Sequence, residues 1–407
     1  MKKSGLSYFF AAFILLYSFS SSHAMERCFD QSDEKQATIK PRILIVGAGI
    51  GGLTLANTLK KHNIPFDLIE KKPSWEHTGA GIAIPANATW VLQQLGFDTE
   101  INTKTQHIKA MSFTTDQDEL VVREDLTEIH NAGAQFVSIH RASLHAMLFE
   151  RVKDFEVRMG TFVKTISQNE DTGEIDVEFS DTSRKTYDLV VGADGMHSSI
   201  RQKIFGTDSL SYQGIKVWRT VVDTPEGLDH PIYMQGEDTL FLLYPLSNNK
   251  TNIYCHHIDP SQDKDVVENR ISKLRVLFGN YKGFVPQVIN QINDPHQIVP
   301  GQLKSVPEVK WFKGNVVLIG DASHVCTPML QQGGALAIED GWVLGEEINC
   351  GLSRNESIVQ ILTNFVNRRD KRVRFIVQES DKVGNGFIKQ NEAQNVTMFK
   401  ILMKENP

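Results

Sequence analysis

Three separated groups of residues have the types and spacing to hold a dinucleotide. In "PRILIVGAGIGGLTLANTLKKHNIPFDLIEKK" (41–72), Gly47, Gly49 and Gly52 stand in G-x-G-x-x-G spacing, and Glu70 follows Gly49 by roughly 20 residues. Gly47 permits a tight turn, Gly49 lets backbone approach a pyrophosphate, and Gly52 lets the following helix lie close to the strand. That helix directs the positive end of its dipole at the phosphates, and Glu70 is placed to accept hydrogen bonds from an adenosine ribose. Asp194 and Gly195 lie in "DLVVGADGMHSSIR" (188–201), and Gly320 and Asp321 open "GDASHVCTPMLQQGGALAIEDGWVL" (320–344). The first group alone implies an ADP-containing cofactor and leaves a nicotinamide dinucleotide and FAD both open.

The elements that must position these residues are legible in the pattern. Ile43 to Val46 is a β-branched-rich run of the kind a parallel strand buried on both faces requires, and "YDLVVGADG" and "GNVVLIGDASH" repeat that character. "GAGIAIPANATWVLQQLG" (79–96) reads as a glycine-rich loop and an amphipathic helix, and "VSIHRASLHAMLFERV" (137–152) as a strand leading into a helix. Short alternating segments from about 155 to 190 indicate a hairpin. From about 211 to 310, "GIKVWRTVV", "DTLFLLYPL" and "KTNIYCHHI" read as a separate, mostly antiparallel sheet. A long helical pattern begins near Gly334, with more helix to the C-terminus. The cofactor-binding part is therefore discontinuous.

The chain has 407 residues, enough for two domains or one large composite domain, and its 41% hydrophobic and 23% charged content is that of a globular protein. A formal net charge of -6, with no basic stripe interleaved with aromatics, argues against nucleic acid as a partner. Cys28, Cys255, Cys326 and Cys350 form no C-x-x-C pair, so they are expected as packing residues, with no metal site. His256 and His257 are adjacent on a strand and point apart, which removes them as paired metal ligands. Residues 1–24 differ from the rest. Lys2 and Lys3 precede an apolar run from Tyr8 to Phe19, then a small-residue pattern ending at Ala24, as in a secretory signal peptide. This predicts periplasmic or secreted protein without strong membrane association after leader removal. If Met25 is the true start, the protein is cytoplasmic.

Together, the three groups resemble the single-component flavin-dependent monooxygenases, the family of salicylate and 4-hydroxybenzoate hydroxylases with tetracycline-inactivating relatives. The resemblance spans roughly residues 41 to 380. It implies an α/β fold: a Rossmann-like FAD-binding domain (41–210 and 311–350), an inserted mostly antiparallel substrate-binding sheet (211–310) and a C-terminal helical region (351–407). It implies FAD as cofactor, with NAD(P)H as reductant. O2 would form a flavin C4a-hydroperoxide that hydroxylates an aromatic or polycyclic, electron-rich small molecule. The protein is expected as a monomer or homodimer. A flavin-binding oxidase or reductase, or a non-catalytic FAD-binding module, is the alternative. The resemblance places Asp321 on the FAD ribityl chain, Arg141 near the pyrophosphate and ribityl chain, and Asp194 and Gly195 beside FAD and transient NAD(P)H. Ile50, Lys71, Gly320 and Pro328 adjoin these elements and complete the expected cofactor contacts. Gln332, Gly333 and Gly334 occupy the place of a Gly-Gln-Gly type turn, with Gln331 replacing the first glycine. Backbone N–H groups at the start of the following helix would face the flavin pyrimidine and stabilise negative charge on its reduced form. Gln332 and Arg219 are the expected catalytic residues. Trp218, Phe241, Leu243, Tyr244 and His256 join Arg219 as candidates for the pocket wall. Arg201 reads equally as a helix-end or a phosphate-facing charge.

Overall fold

The computed structural model describes residues 40–386 except 76–79, 128–129, 132 and 207–209. The expected leader, Met25 and Cys28 lie outside the described residues, as does the chain beyond 386. Along the chain, β1 (Ile43–Val46), α1 (Ile50–Lys61) and β2 (Asp67–Glu70) form the first unit. Helix α2 (Arg141–Glu150), β3 (Val157–Met159) and β4 (Leu189–Gly192) follow. Then come β5 (Ser211–Asp223), β6 (Ile232–Gln235), β7 (Thr239–Leu246), β8 (Lys250–Ile258) and β9 (Val299–Ser305). The chain returns with β10 (Val316–Leu318) and ends in α3 (Gly333–Ser353) and α4 (Ile358–Gly386).

A six-stranded sheet has the order β3, β2, β1, β4, β10 and Phe312–Lys313. Strands β1, β2, β3, β4 and β10 pair in parallel, and the Phe312–Lys313 edge is antiparallel. Every residue of β1, β4 and β10 is buried, the two-sided burial that the β-branched runs require. Helices α1 and α3 cross at very short range. A Cβ on Gly341 would lie 2.7 Å from the Gly51 carbonyl oxygen, and one on Gly345 would lie 2.4 Å from Thr58 Cγ2. This close packing fixes the start of α3, and with it the preceding turn, against the glycine-rich end of α1.

The second large sheet has seven strands in the order β9, β5, β8, β7, β6, Ala110–Thr115 and Leu120–Asp125. The strands of 110–125 come from the sequence before residue 211, and Ala110–Thr115 pairs in parallel with β6. Alternation separates two faces. Tyr233, Leu240, Leu242, Tyr244 and Tyr254 share one apolar cluster, whereas Trp218, Phe241, Leu243 and Cys255 pack with Phe278, Val285 and Val288 of the helical segment 270–290. A small sheet of Val163–Gln168, Ile175–Phe179 and Arg184–Tyr187 stands where the hairpin was expected. Cys255 and Cys326 are free thiols, but Cys350 is disulfide-bonded, which corrects its reading as a packing residue. Spacing along the chain carries no information on a pairing made through space. Among the described residues no helix is long and apolar enough to cross a membrane.

Candidate active site

The glycine turn between β1 and α1 is built by close contact. Gly47 has φ +105°, and a Cβ there would lie 2.5 Å from the Ala193 carbonyl oxygen. A Cβ on Gly52 would lie 2.0 Å from the Gly47 oxygen, so α1 can start this close to the turn only with glycine. Gly49 faces open space, with nothing within 4 Å of its virtual Cβ. It is the N-cap of α1, whose first turn carries no side-chain cap and no acid, leaving its orphan N–H groups to a ligand. Glu70 ends β2 and accepts hydrogen bonds from the backbone N–H of Ala48 and of Lys72, each at 3.0 Å. Glu70 and Lys71 stand beside the turn but do not line the main cavity.

That cavity, of about 1040 Å³, lies between the two large sheets. Gly49, Ile50, Arg141, Gly195, Gly320, Asp321, Pro328, Gly333 and Gly334 contribute to its cofactor-side wall. The structure thus brings together most of the residues singled out from sequence, across four chain segments. Asp321 is exposed to the cavity, and its carboxylate has no hydrogen-bond partner among the described residues. Its position deep in the protein raises its pKa through burial, opposed by the charges of His324, Arg141 and Arg201.

Three expectations change in detail. Asp194 does not turn toward the cavity: its carboxylate accepts from Ser199 N (2.7 Å), Ile200 N (3.2 Å) and the hydroxyls of Ser198 (2.5 Å) and Ser199 (3.0 Å). It caps the helix Ser199–Phe205, and Gly195, at φ +80°, supplies the cavity surface. Arg201 is neither a helix-end nor a phosphate-facing charge. It is buried and donates to the carbonyls of Ala322 (2.7 Å) and Met196 (2.7 Å), tying the Asp-Gly loop to the Gly-Asp loop. Gln332 is fully buried, with its Oε1 accepting from Asn87 Nδ2 at 3.2 Å, so its side chain is not brought to the cavity. Gln331 lines the cavity instead.

A buried charge network, missed from sequence, underlies this wall. Asp340 accepts from Gly320 N–H at 2.8 Å, contacts His324 Nε2 at 2.6 Å and accepts from Arg369 Nε at 2.8 Å. Glu339 pairs with Arg369 at 2.7 Å and Arg372 at 3.0 Å, and accepts from Asn87 at 2.6 Å. Burial acts to raise the Asp340 pKa, but the His324 and Arg369 charges and hydrogen bonds outweigh it and hold the carboxyl at about 2. The adjacent acids of "AIED" and the basic run "RRDKR" were the available signal.

On the opposite wall stand Arg219, Tyr233, Leu242, Tyr244 and Tyr254. Arg219 is paired with Tyr254 across β5 and β8, and its guanidinium lies 5.5 Å from the Tyr254 ring centroid. Tyr254 Oη lies 3.1 Å from His256 Nδ1. Burial, aided by the neighbouring His257, pushes the His256 pKa down to about 3, so this histidine is neutral near neutral pH. Phe241 and Leu243 belong to the other face of the sheet, as strand parity dictates, whereas Trp218 packs in the same cluster and also reaches the cavity wall, as expected.

Residues 40–380 match the family described as FAD binding domain. The chain belongs to the FAD-dependent monooxygenases. The Stigmatella aurantiaca aurachin C monooxygenase/isomerase is 30% identical over 80% of this chain and 86% of the relative. The Pseudomonas fluorescens 6-hydroxynicotinate 3-monooxygenase is 28% identical over 75% of this chain and 81% of the relative. A crystal structure of a Klebsiella pneumoniae HpxO variant complexed with FAD superposes with a TM-score of 0.79 at 25% identity, covering 90% of this chain and 95% of that one.

The monooxygenase cavity fits FAD by its own residues. The open-faced Gly49 and uncapped α1 offer backbone donors for phosphates, and Asp321 offers a free carboxylate for hydroxyls. The start of α3, whose first turn holds neither an acid nor a side-chain cap, offers further N–H donors.

Proposed function

We propose that the protein is an NAD(P)H-dependent hydroxylase of an aromatic or polycyclic, electron-rich small molecule. The observation that carries this reading is the main cavity, which joins a flavin-binding wall to an aromatic sheet face where Arg219 stands beside Tyr254. Bound FAD would supply the redox chemistry, accepting a hydride from NAD(P)H and, with O2, delivering one oxygen atom to the substrate while the other leaves as water.

The chain's residues bind, orient and exclude water. Gly47, Gly49, Ile50 and Gly52 form the pyrophosphate turn, Glu70 and Lys71 flank the adenosine, and Arg141 offers its charge to the phosphates. Gly195, Gly320 and Asp321 meet the ribityl chain, and Asp194 acts by fixing Gly195. Pro328, Gly333 and Gly334 shape the turn at the pyrimidine. The N-terminus of α3 stabilises negative charge there, the role for which Gln332 contributes backbone position and not its amide. The tyrosine and leucine side chains of β6, β7 and β8 hold an aromatic ring away from water, and Arg219 orients it. The relatives act on 6-hydroxynicotinate and aurachin C by their names, which supports heteroaromatic rings as first compounds to try.

The test is NAD(P)H oxidation by the FAD-loaded protein with hydroxylated pyridines, quinolones, salicylates and tetracyclines under isotopically labelled O2. At least one compound should stimulate oxidation and acquire labelled oxygen. Stimulated oxidation that releases only hydrogen peroxide would instead mark an oxidase, and absence of flavin reduction by either nucleotide would mark a binding module.

A further inference from the structure

Gln331 stands at a backbone position that most side chains avoid. Its φ is +54° and ψ is 24°, in the left-handed region. Apart from Thr182 and Gln331, the non-glycine residues with positive φ among the described residues are Asn or Asp, the types best suited to it. Thr182 is in an exposed hairpin turn, whereas Gln331 lines the cavity. Its backbone N–H closes the Pro328–Leu330 turn on the Pro328 carbonyl at 2.9 Å, and α3 starts two residues later. A glycine would form this turn without strain, so backbone geometry alone gives no reason for a glutamine.

The side chain supplies the reason. Gln331 Oε1 accepts a hydrogen bond from the Tyr244 hydroxyl at 3.2 Å, bridging the flavin-side turn to the substrate-side sheet. Burial raises the Tyr244 pKa well above the usual phenol range, so this hydroxyl remains a donor across the working pH range. With Oε1 engaged by a donor, the amide nitrogen is the end left for a ligand, and it carries two N–H donors and no acceptor.

We propose that Gln331 is a specificity-determining residue whose amide N–H groups, held by Tyr244, select aromatic rings bearing an acceptor oxygen at the junction of the flavin-side turn and the sheet. The proposal rests on the aromatic-substrate reading of this cavity. It adds a second polar determinant to Arg219, on the opposite side of the cavity from β5. A ring that lacks the oxygen leaves the amide donors unpaired in a largely apolar space, and that loss is the source of the discrimination.

The experiment titrates oxidised, FAD-loaded protein, without NAD(P)H, with three pairs of rings that differ by their one oxygen: 4-hydroxyquinoline and quinoline, 2-hydroxypyridine and pyridine, phenol and benzene. Kd is read from perturbation of the flavin absorbance. In the wild type, at least one hydroxylated member should bind about tenfold or more tightly than its partner, the discrimination expected of one paired polar group. Gln331→Gly and Gln331→Glu should bring that ratio to about one, and Tyr244→Phe should lower it by roughly threefold. Gln331→Gly should melt at or above the wild-type temperature, since glycine suits the left-handed turn. A ratio unchanged in both Gln331 variants overturns the proposal, as does equal weakening of both members of each pair, or a wild type that favours no hydroxylated ring. These titrations need no turnover. A lost ratio with no oxygenated product would uphold the selectivity and count only against the hydroxylase reading.

Discussion

Asp321 offers the most direct single-residue test of the cofactor wall. Its carboxylate has no hydrogen-bond partner among the described residues and faces the cavity, so its removal leaves no protein group stranded. A hydrogen bond from a ribityl hydroxyl to a charged acceptor contributes about 1.5–3 kcal/mol. Asp321→Ala should therefore weaken FAD binding by roughly one to two orders of magnitude in a fluorescence titration. Unchanged affinity would move Asp321 to a purely structural role. Arg201→Met should act differently, because Arg201 joins two loops through carbonyl contacts in the interior. Its loss should lower stability by about 1–3 kcal/mol, by leaving buried carbonyls unpaired, and should lower FAD affinity only as a consequence. The melting temperature of the apoprotein checks this. At this scale the sequence identifies motif membership well and side-chain direction poorly. Gly47, Gly49 and Asp321 were legible because backbone geometry or strand ends dictate them. Asp194 and Gln332 lie in the correct loops, yet each side chain turns into a local cap or an interior network that neighbouring residues decide.

Helices α3 and α4 are joined by charges that no single motif reveals. Glu339 and Asp340 are consecutive on α3, and Arg369 reaches both of them from α4. All three are fully buried. Because Asp340 also receives the Gly320 N–H, this junction sets the loop that carries Asp321. Removing one partner of a buried pair leaves the other charge uncompensated, at a cost of about 3–5 kcal/mol. Arg369→Met should lose stability on that scale in chemical denaturation, and a loss below about 1 kcal/mol would show that the network is no more than a surface-strength pair. The pH dependence follows from the direction of the Asp340 shift. Its pKa is lowered from 3.8 to about 2 on folding. Its contribution is therefore present above the ordinary carboxylate range and is lost as pH falls from about 4 toward 2, on the order of 2 kcal/mol. Wild-type stability should fall more steeply than that of Asp340→Asn across this interval. The separated acids and arginines were visible in the sequence, but their meeting depends on the crossing of two long helices.

At the scale of the whole molecule, the buried parallel strands were legible from continuous apolar runs, and the inserted sheet from alternation. The membership of 110–125 in that sheet was not, since a strand's partner is chosen by tertiary packing and not by its own pattern. The composite fold buries most of its aromatic hydroxyls, and this gives a test of the architecture. The chain has 8 tyrosines. Tyr8 and Tyr17 lie outside the described residues, while Tyr187, Tyr212, Tyr233, Tyr244, Tyr254 and Tyr281 all have raised pKa values, with burial the largest cause in each. Tyr281, packed beside Phe241 and Phe278, is pushed up to about 12. Each raised phenol favours the folded state fully below its unfolded pKa of about 10, and that advantage is lost as pH rises toward the folded value. Protein beginning at Met25 should therefore show the tyrosinate absorbance of no more than one phenol, that of the partly exposed Tyr212, at about pH 10.5 while native, and the other five should ionise together with alkaline unfolding. Loss of secondary structure by circular dichroism should coincide with that absorbance change. Two or more tyrosines titrating near pH 10 in still-folded protein would contradict the burial of these hydroxyls within the fold.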